Sequence, residues 1–236
     1  MKILIFSLAA VIMLNINTFA EIPESARSKR VISKITPVLE KEMKSKNLKP
    51  GDNVFIRIFK EEFILEVWVK NGDAYTLFKQ YPIAYYSGGL GTKTKFGDCK
   101  SPEGFYSVYP ASLNPSSSYH LSFNIGYPNA YERHRKYTGN YIMIHGGEVS
   151  IGCYAVTDPL IEEIYTAVYR AFENGQKKIM VHIFPFRMTD ENFQRYKNNP
   201  NLSFWTELRG GYEYFENKRV PPEILVDSKG NYYIAQ

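Results

Sequence analysis

The chain has little cysteine for its length: Cys99 and Cys153 are the only two thiols among 236 residues. Two cysteines cannot build the disulfide framework that stabilises small secreted domains. One Cys99–Cys153 disulfide remains open, and the alternative is that one thiol is chemically active. Clusters of Lys and Arg beside stacking aromatics are also missing, and the net charge is only +5. A nucleic-acid interface is therefore not expected.

Long apolar runs are missing too, with one short exception at the N terminus. Residues 1–20, MKILIFSLAAVIMLNINTFA, combine one lysine, an apolar core, and the small residues Thr18 and Ala20. This pattern predicts a secretory signal peptide cleaved after Ala20. An uncleaved anchor is the alternative, but the run is shorter than the roughly 20 residues that a span needs. We expect the mature chain to be exported.

Two helical segments lie towards the ends of the mature chain, and each contains a pair that predicts an interruption. Residues 24–47 carry apolar side chains at helical spacing, and Thr36-Pro37 predicts two short helices there. Residues 189–217 are also helical by pattern, with a break expected at Gly210-Gly211.

Strand patterns dominate the middle of the chain, as short runs rich in β-branched and aromatic residues. They cover residues 53–59, 63–69, 74–86, 104–110, 119–126, 140–145 and 177–184. One clean helix, 158–175, lies among them with Asp158 as its expected N-cap. The predicted fold class is mostly β with α (α+β), a β-rich domain with one packed helix.

The stretch IMIHGGEVSIGC, residues 142–153, places a histidine eight residues before a cysteine. His145 ends a predicted strand, and Gly146 and Gly147 permit a sharp turn. The chain can therefore return Cys153 to the imidazole. A histidine within reach can accept the thiol proton, which is the Cys–His arrangement for acyl transfer.

Gly152 removes a side chain beside the sulfur, so a substrate backbone can approach. The amides of Gly152 and Cys153 are candidates for stabilising a developing oxyanion. With an imidazole alongside, we expect the pKa of Cys153 to lie well below that of a free thiol.

Two alternatives stay open on the residues alone. Cysteine is among the most frequently buried residues, so Cys153 could be an inert thiol after an ordinary glycine turn. A zinc site is the second alternative. It would draw on His145, Cys153, His120, His182 and Cys99, but no pair among them has the usual ligand spacing.

The motif HGG…SIGC resembles the HG…S-x-G-C signature of the L,D-transpeptidase (YkuD-type) catalytic domain family. Further segments are similar to its YafK-like subgroup: GTKTKFGDCKSPEGFYSV, YHLSFNIGYPNAYER, SIGCYAVTD and HIFPFRMTDENF. The resemblance spans about residues 50–222, and the compact spacing of eight between histidine and cysteine fits the subgroup. It implies a bent mixed β-sheet or sandwich with the helix at 158–174 packed against it.

The resemblance also implies a domain organisation and an activity. The expected parts are a signal peptide (1–20), an N-terminal helical arm (21–50), a catalytic domain (51–186) and a C-terminal helical extension (187–236). The family attacks the meso-diaminopimelate carbonyl of peptidoglycan stem peptides through a cysteine. An amine then resolves the thioester into a cross-link or a protein attachment, whereas water resolves it by hydrolysis.

For the subgroup, the resemblance implies hydrolysis that releases the lysine of an outer-membrane lipoprotein from diaminopimelate. The expected place of action is the periplasm, and the expected partners are stem peptides and that lipoprotein, with no metal and no organic cofactor. True transpeptidation is the enzymatic alternative. A cell-wall-binding module that kept the fold without turnover is the non-enzymatic one.

Carried over by motif, Cys153 is the nucleophile, His145 the base, and the Gly146 carbonyl orients the imidazole. Ser150 and Gly152 complete the motif.

Four further residues are candidates for substrate contact. Arg133 and Arg187 carry guanidinium groups, which match carboxylates bidentately. His120 and Tyr154 lie in segments expected near the site. A structural role is the alternative for His120 and Tyr154, and an ordinary surface arginine is the alternative for Arg133 and Arg187.

Overall fold

Two five-stranded sheets and a C-terminal hairpin organise the protein. The strand order in the first sheet is Ala74–Pro82, Ile64–Asn71, Val54–Phe59, Ile179–Phe184 and Gly104–Val108. In the second sheet it is Tyr85–Tyr86, Tyr154–Ala155, Met143–His145, Ser122–Asn124 and Leu113–Asn114, and the hairpin pairs Ile224–Val226 with Tyr232–Ile234. The computed structural model describes residues 21–235. The predicted signal peptide at 1–20 lies outside the described residues. Within 21–235, no helix combines the length and apolarity needed to cross a bilayer. The mixed α+β class expected from the sequence is confirmed.

The elements have the following bounds. The helices are α1 (Ala26–Lys44), α2 (Ala130–His134), α3 (Asp158–Glu173), α4 (Asp190–Arg195) and α5 (Leu202–Lys218). The strands are β1 (Val54–Phe59), β2 (Ile64–Asn71), β3 (Ala74–Pro82), β4 (Tyr85–Tyr86), β5 (Gly104–Val108), β6 (Leu113–Asn114), β7 (Ser122–Asn124), β8 (Met143–His145), β9 (Tyr154–Ala155), β10 (Ile179–Phe184), β11 (Ile224–Val226) and β12 (Tyr232–Ile234).

The first sheet is covered on both faces, which explains why every residue of β1 is buried. Its alternate side chains enter different clusters. Ile56 and Ile58 join the main core with the apolar faces of α1 and α3. Phe55 packs with Phe215 of α5, and Phe59 lies in the cluster that contains Trp205 of the same helix.

The second sheet has strands of only two or three residues, and it carries the HGG…SIGC segment. β8 pairs with β7 antiparallel and with β9 parallel. Helix α3 packs against β7 and β8. The stretch from His145 to Cys153 therefore turns back on a small scaffold whose stability depends on neighbouring loops and α3.

Both predicted helix interruptions are wrong. Helix α1 continues through Pro37, because its apolar face, including Ile35 and Leu39, packs into the core and outweighs the local proline penalty. Helix α5 continues through Gly210 and Gly211. A Cβ on Gly211 would lie 2.6 Å from the Phe105 ring, so this glycine serves close helix–sheet packing rather than a break.

The C-terminal half differs from expectation at the start of α3, in the last helical region and in the final strands. The N-cap of α3 is Thr157, with Asp158 as the first helical residue. The interruption within the last helical region lies between α4 and α5, and the chain then ends in the β11–β12 hairpin, which the pattern did not predict.

A fully buried ion pair anchors the 87–104 loop to the first sheet. The Lys60 ammonium lies 2.9 Å from Glu103 Oε1, and both side chains are fully buried. Lys60 also donates to the carbonyls of Gly91 and Ser101, each at 3.0 Å. Glu103 accepts from the Gly91 amide and from the Trp205 indole. Every polar atom of the pair thus has partners, as a buried charge requires.

We predict that Lys60→Met destabilises the protein by about 3–5 kcal/mol, since it leaves the Glu103 carboxylate buried and uncompensated. Urea unfolding would measure the loss. The matched control is Lys178→Met, which breaks the solvent-exposed Lys178–Glu223 pair and should cost less than about 1 kcal/mol. Equal losses for the two variants would contradict this account.

A second buried carboxyl, Glu132 of α2, holds the turn that leads into that helix. It accepts from the Asn129 amide and pairs with the Tyr106 hydroxyl, which itself donates to the Glu103 carbonyl. Burial raises the pKa of Glu132 to about 7, against the hydrogen bonds from Tyr106 and Asn129 and the Arg133 charge. Near neutral pH the folded protein therefore carries a proton here that the unfolded chain has lost.

Because the folded pKa of Glu132 is raised, its contribution to stability is full at pH 4.5 and is lost as pH rises to about 7. The loss is up to about 3 kcal/mol. Glu132→Gln imitates the protonated acid, so we expect the stability difference between wild type and variant to change by that amount between pH 4.5 and 7.5. Urea unfolding across this range measures it, and a pH-independent difference would refute the assignment.

Candidate active site

His145 lies at the end of β8 with its side chain almost wholly buried. Its Nδ1 is 2.5 Å from the Gly146 carbonyl oxygen. Because a carbonyl can only accept, Nδ1 carries the hydrogen and Nε2 keeps its lone pair. The imidazole is thus held in the tautomer that a general base needs.

The two glycines after His145 are required for different reasons: Gly146 has no room for a side chain, and Gly147 has a left-handed backbone conformation. A Cβ on Gly146 would lie 2.4 Å from Asp158 Oδ1 and 2.9 Å from the Tyr119 carbonyl. Gly147 adopts φ +75°, and its amide donates to Asp158 Oδ1 at 2.8 Å. Asp158, at the start of α3, therefore fixes the turn that follows the histidine.

Cys153 directly precedes β9, the strand that pairs in parallel with the strand ending at His145. The register pairs Ile144 with Tyr154 and His145 with Ala155. Continuing the alternation of side chains one residue before β9 places Cys153, two residues before Ala155, on the face of His145.

The thiol itself is bonded to the backbone of the neighbouring strand. The sulfur accepts the Met143 amide at 3.3 Å, and its hydrogen faces the Tyr141 carbonyl at 3.7 Å. In the described part of the chain no hydrogen bond joins this thiol to the imidazole. Catalytic hydrogen bonds often tighten only when substrate binds.

The 87–104 loop forms the wall behind the cysteine. The Gly152 amide donates to Ser87 Oγ at 2.6 Å, and Ser101 Oγ donates to the Cys153 carbonyl at 3.1 Å. Ser87 and Ser101 are themselves bonded through their backbones. The Gly152 amide already donates to Ser87. Of the two amides predicted to stabilise an oxyanion, the Cys153 amide is therefore the one left to do so.

The electrostatics favour a neutral thiol and a neutral imidazole, contrary to the expected thiolate. Burial raises the pKa of Cys153, although the Met143 amide, Ser150 and the Lys93 charge oppose the rise. Burial also lowers the pKa of His145, opposed by its bond to Gly146. The sequence pattern could not register this burial. For the predicted roles of Cys153 and His145, this means that the thiol proton has to be transferred during attack rather than before it.

Ser150 Oγ is a buried hydroxyl beside the thiol. It makes no hydrogen bond of acceptable geometry, yet it lies close enough to lower the pKa of Cys153. The hydroxyl is therefore an unused donor in the resting state. It is placed to donate once a thiolate forms.

The four candidate substrate contacts lie in different environments. His120 Nε2 is 3.0 Å from Glu162 Oε1 on α3. Arg133 bonds to the Pro128 carbonyl in its own turn. Tyr154 is fully buried and donates to the Pro102 carbonyl. Arg187 pairs with Glu66 and lies over the Phe59 ring. Each side chain thus has a structural partner, and substrate contact by any of them stays a prediction.

Both cysteines are free, with Cys99 exposed on the 87–104 loop. The third histidine of the zinc alternative, His182, is wholly buried among aromatic rings, and burial lowers its pKa to about 3. Among residues 21–235 there is no group of three or more His, Cys, Asp or Glu side chains arranged to hold a metal ion.

Sequence reasoning missed several residues that build the site. Ser87 and Ser101 lie in the segment whose resemblance was noted, but their contacts with the cysteine strand depend on folding. Ser122 pairs across the sheet with His145, and its hydroxyl is buried without a hydrogen-bond partner. The Tyr119 ring lies 4.6 Å from the imidazole, centroid to centroid. For Ser122 and Tyr119 the only sequence signal was a polar or aromatic residue inside a strand-like segment, and for Ser87 and Ser101 it was a serine within a loop.

Comparison with known proteins agrees with this geometry. The family described as YkuD, the L,D-transpeptidase catalytic domain, matches residues 53–183. The chain is 49% identical over 204 residues to YafK of Escherichia coli (strain K12), covering 86% of this chain and 81% of YafK. The name of that relative places it provisionally among the L,D-transpeptidases. The chain therefore belongs to the YkuD L,D-transpeptidase catalytic domain family, as its motifs indicated.

Two solved structures show a more distant likeness. The helical cell shape determining protein Pgp2 from Campylobacter jejuni is 18% identical with a TM-score of 0.45, covering 85% of this chain and 80% of Pgp2. Bd1075 from Bdellovibrio bacteriovorus is 21% identical with a TM-score of 0.40, covering 74% and 62%. At these scores neither structure contributes to the family assignment, which stands on sequence.

We predict that iodoacetamide modifies Cys153 with a pH midpoint above the ordinary thiol value of about 8.5, because burial raises its pKa. The experiment uses a Cys99→Ser background and mass spectrometry from pH 6 to 10. Adding Ser150→Ala should raise the midpoint further, since the hydroxyl favours the thiolate. A midpoint below pH 7 would instead demonstrate a preformed thiolate–imidazolium pair.

Proposed function

We propose that the protein is a cysteine-dependent acyl-transfer enzyme acting at meso-diaminopimelate in peptidoglycan stem peptides. The observation that carries this proposal is the shared sheet face of Cys153 and His145, with the imidazole held in its Nδ1–H form. Membership of the L,D-transpeptidase family supports the substrate class.

In the proposed acylation, the Cys153 sulfur attacks the carbonyl carbon of diaminopimelate while His145 Nε2 takes the thiol proton. The Cys153 amide and Ser150 Oγ are the donors available to the developing negative charges. The tetrahedral intermediate collapses by breaking the carbon–nitrogen bond. The imidazolium then gives its proton to the departing amine, which leaves a thioester on Cys153.

We propose hydrolysis as the second half-reaction, with the lysine amine of an outer-membrane lipoprotein as the leaving group. Water attacks the thioester, His145 accepts its proton, and the proton then returns to the thiolate of Cys153. This choice rests on the relationship to the YafK-like subgroup. An acceptor amine in place of water would give a cross-link or an attachment by the same steps.

A cavity of about 500 Å³ lies beside the 87–104 loop. Its lining includes the cations of Lys95, Lys100 and Arg135 and the carboxyl groups of Asp98 and Glu207, with Glu207 lying 3.8 Å from Arg135. The Lys100 carbonyl lies 3.4 Å from the position that a Cβ on Gly152 would occupy, which ties this cavity to the cysteine strand. Stem peptides carry carboxylates, which these cations would attract. In this proposal residues 1–20 direct export, and the periplasm is the place of action.

The decisive test is mass spectrometry of muropeptides from sacculi that carry attached lipoprotein. Mature wild-type protein should release lipoprotein with a terminal lysine and leave intact tripeptide stems. Cys153→Ala and His145→Gln should each abolish release, because they remove the nucleophile and the base. Arg30→Met, an exposed change on α1, serves as the matched control and should keep full activity.

Other outcomes would redirect the assignment. New diaminopimelate–diaminopimelate cross-links made by wild type alone would identify a transpeptidase. Sacculi that bind wild type and Cys153→Ala equally, with no change in any product, would refute catalysis and favour a cell-wall-binding module.

A further inference from the structure

We infer that Tyr119 and the first turn of α1 are positioning elements of the candidate active site: Tyr119 covers the His145 imidazole, and the N-terminal arm holds Tyr119 in place. This inference deepens the proposed function and rests on it, since it assigns residues outside the HGG…SIGC motif to the control of the general base.

Tyr119 contacts the histidine turn in two ways. Its ring lies over the imidazole with the centroids 4.6 Å apart and the planes tilted by 33°. Its carbonyl accepts the Gly146 amide at 3.1 Å. Tyr119 is about half exposed (47%), whereas His145 is only 3% exposed. The phenol ring therefore separates the imidazole from solvent on one face.

The N-terminal arm holds the segment that carries Tyr119. Arg27 Nη1 donates to the Ser117 carbonyl at 2.9 Å and to the His120 carbonyl at 2.6 Å. These two carbonyls flank Tyr119. Ser25 Oγ, at the N-cap of α1, donates to the Pro115 carbonyl at 2.8 Å. Charge-assisted and N-cap contacts from one helix end thus hold the segment at three points.

The arm is itself fixed by packing in the core. The apolar face of α1 packs with α3, and α3 begins at Asp158, which bonds the Gly147 amide. His120, next to Tyr119, also reaches α3 through Glu162. Helices α1 and α3 therefore together hold the Tyr119 segment and the histidine turn.

The ionisable groups around the imidazole come from three elements. Tyr119 covers it, Cys153 shares its sheet face, and Asp158 lies against the following turn through the Gly146 and Gly147 backbone. Burial is the leading cause of the lowered pKa of His145. If Tyr119 is truncated, water reaches the ring and the pKa should rise towards its ordinary value of about 6.5.

The test follows the His145 ring by NMR titration in full-length mature protein with Cys153→Ala, assigned with His145→Gln. Tyr119→Leu should raise the apparent pKa of His145, and Tyr119→Phe should leave it unchanged because the ring is kept. Arg27→Met should raise it by a smaller amount. Arg30→Met is the matched control on the same helix and should have no effect.

Activity provides a second readout. In Tyr119→Leu with Cys153 intact, the ratio of lipoprotein release at pH 5.5 to release at pH 8 should fall below that of wild type, since a higher pKa of His145 leaves less neutral imidazole at pH 5.5. The separate variant Tyr119→Phe should keep the wild-type ratio of release at the two pH values.

An unchanged His145 titration in both Tyr119→Leu and Arg27→Met would overturn the inference. The titration needs no substrate, so it decides the positioning role even if no muropeptide product is found. If Tyr119→Leu does not fold, the comparison of Arg27→Met with Arg30→Met decides in its place.

Discussion

The buried contact between Lys60 and Glu103 is the constraint on which the candidate site depends. Two opposite charges in a dry interior are tolerated only when both are paired and hydrogen-bonded. Here the missing partners are supplied by the 87–104 loop, through the backbone of Gly91 and Ser101. Ser101 then bonds the Cys153 carbonyl. The requirement to satisfy a buried ammonium thus fixes a loop, and that loop bonds the segment that carries Cys153.

This dependence explains how strands of two or three residues can hold reactive groups in register. The second sheet has too few ladder hydrogen bonds to be rigid by itself. Its stability comes from Ser87 and Ser101, which bond the backbone of Gly152 and Cys153. Asp158 of α3 adds a further bond at the histidine turn. The short HGG…SIGC motif therefore depends on contacts from residues outside it to hold its backbone in place.

Features that depend on local residue patterns could be predicted from the sequence. Features that depend on tertiary packing could not. The strand periodicities and the clean helix of α3 were readable from residue types and spacing. The catalytic roles of His145 and Cys153 stay a prediction from the motif. The continuity of α1 through Pro37 was not readable from the sequence, because the burial of its apolar face outweighs a local penalty. The neutral state of the thiol was missed for the same reason: burial is a property of the assembled fold, and burial raises its pKa.

The chain has two tryptophans, and both indole nitrogens donate to carboxylates in buried ionic clusters. Trp205 Nε1 bonds Glu103, and Trp68 Nε1 bonds Glu66, the partner of Arg57. Indole fluorescence responds to nearby charge and to water. The intrinsic tryptophan fluorescence of this protein therefore reports on its two buried ionic clusters. Substituting either tryptophan by phenylalanine would separate the fluorescence signals of the two clusters.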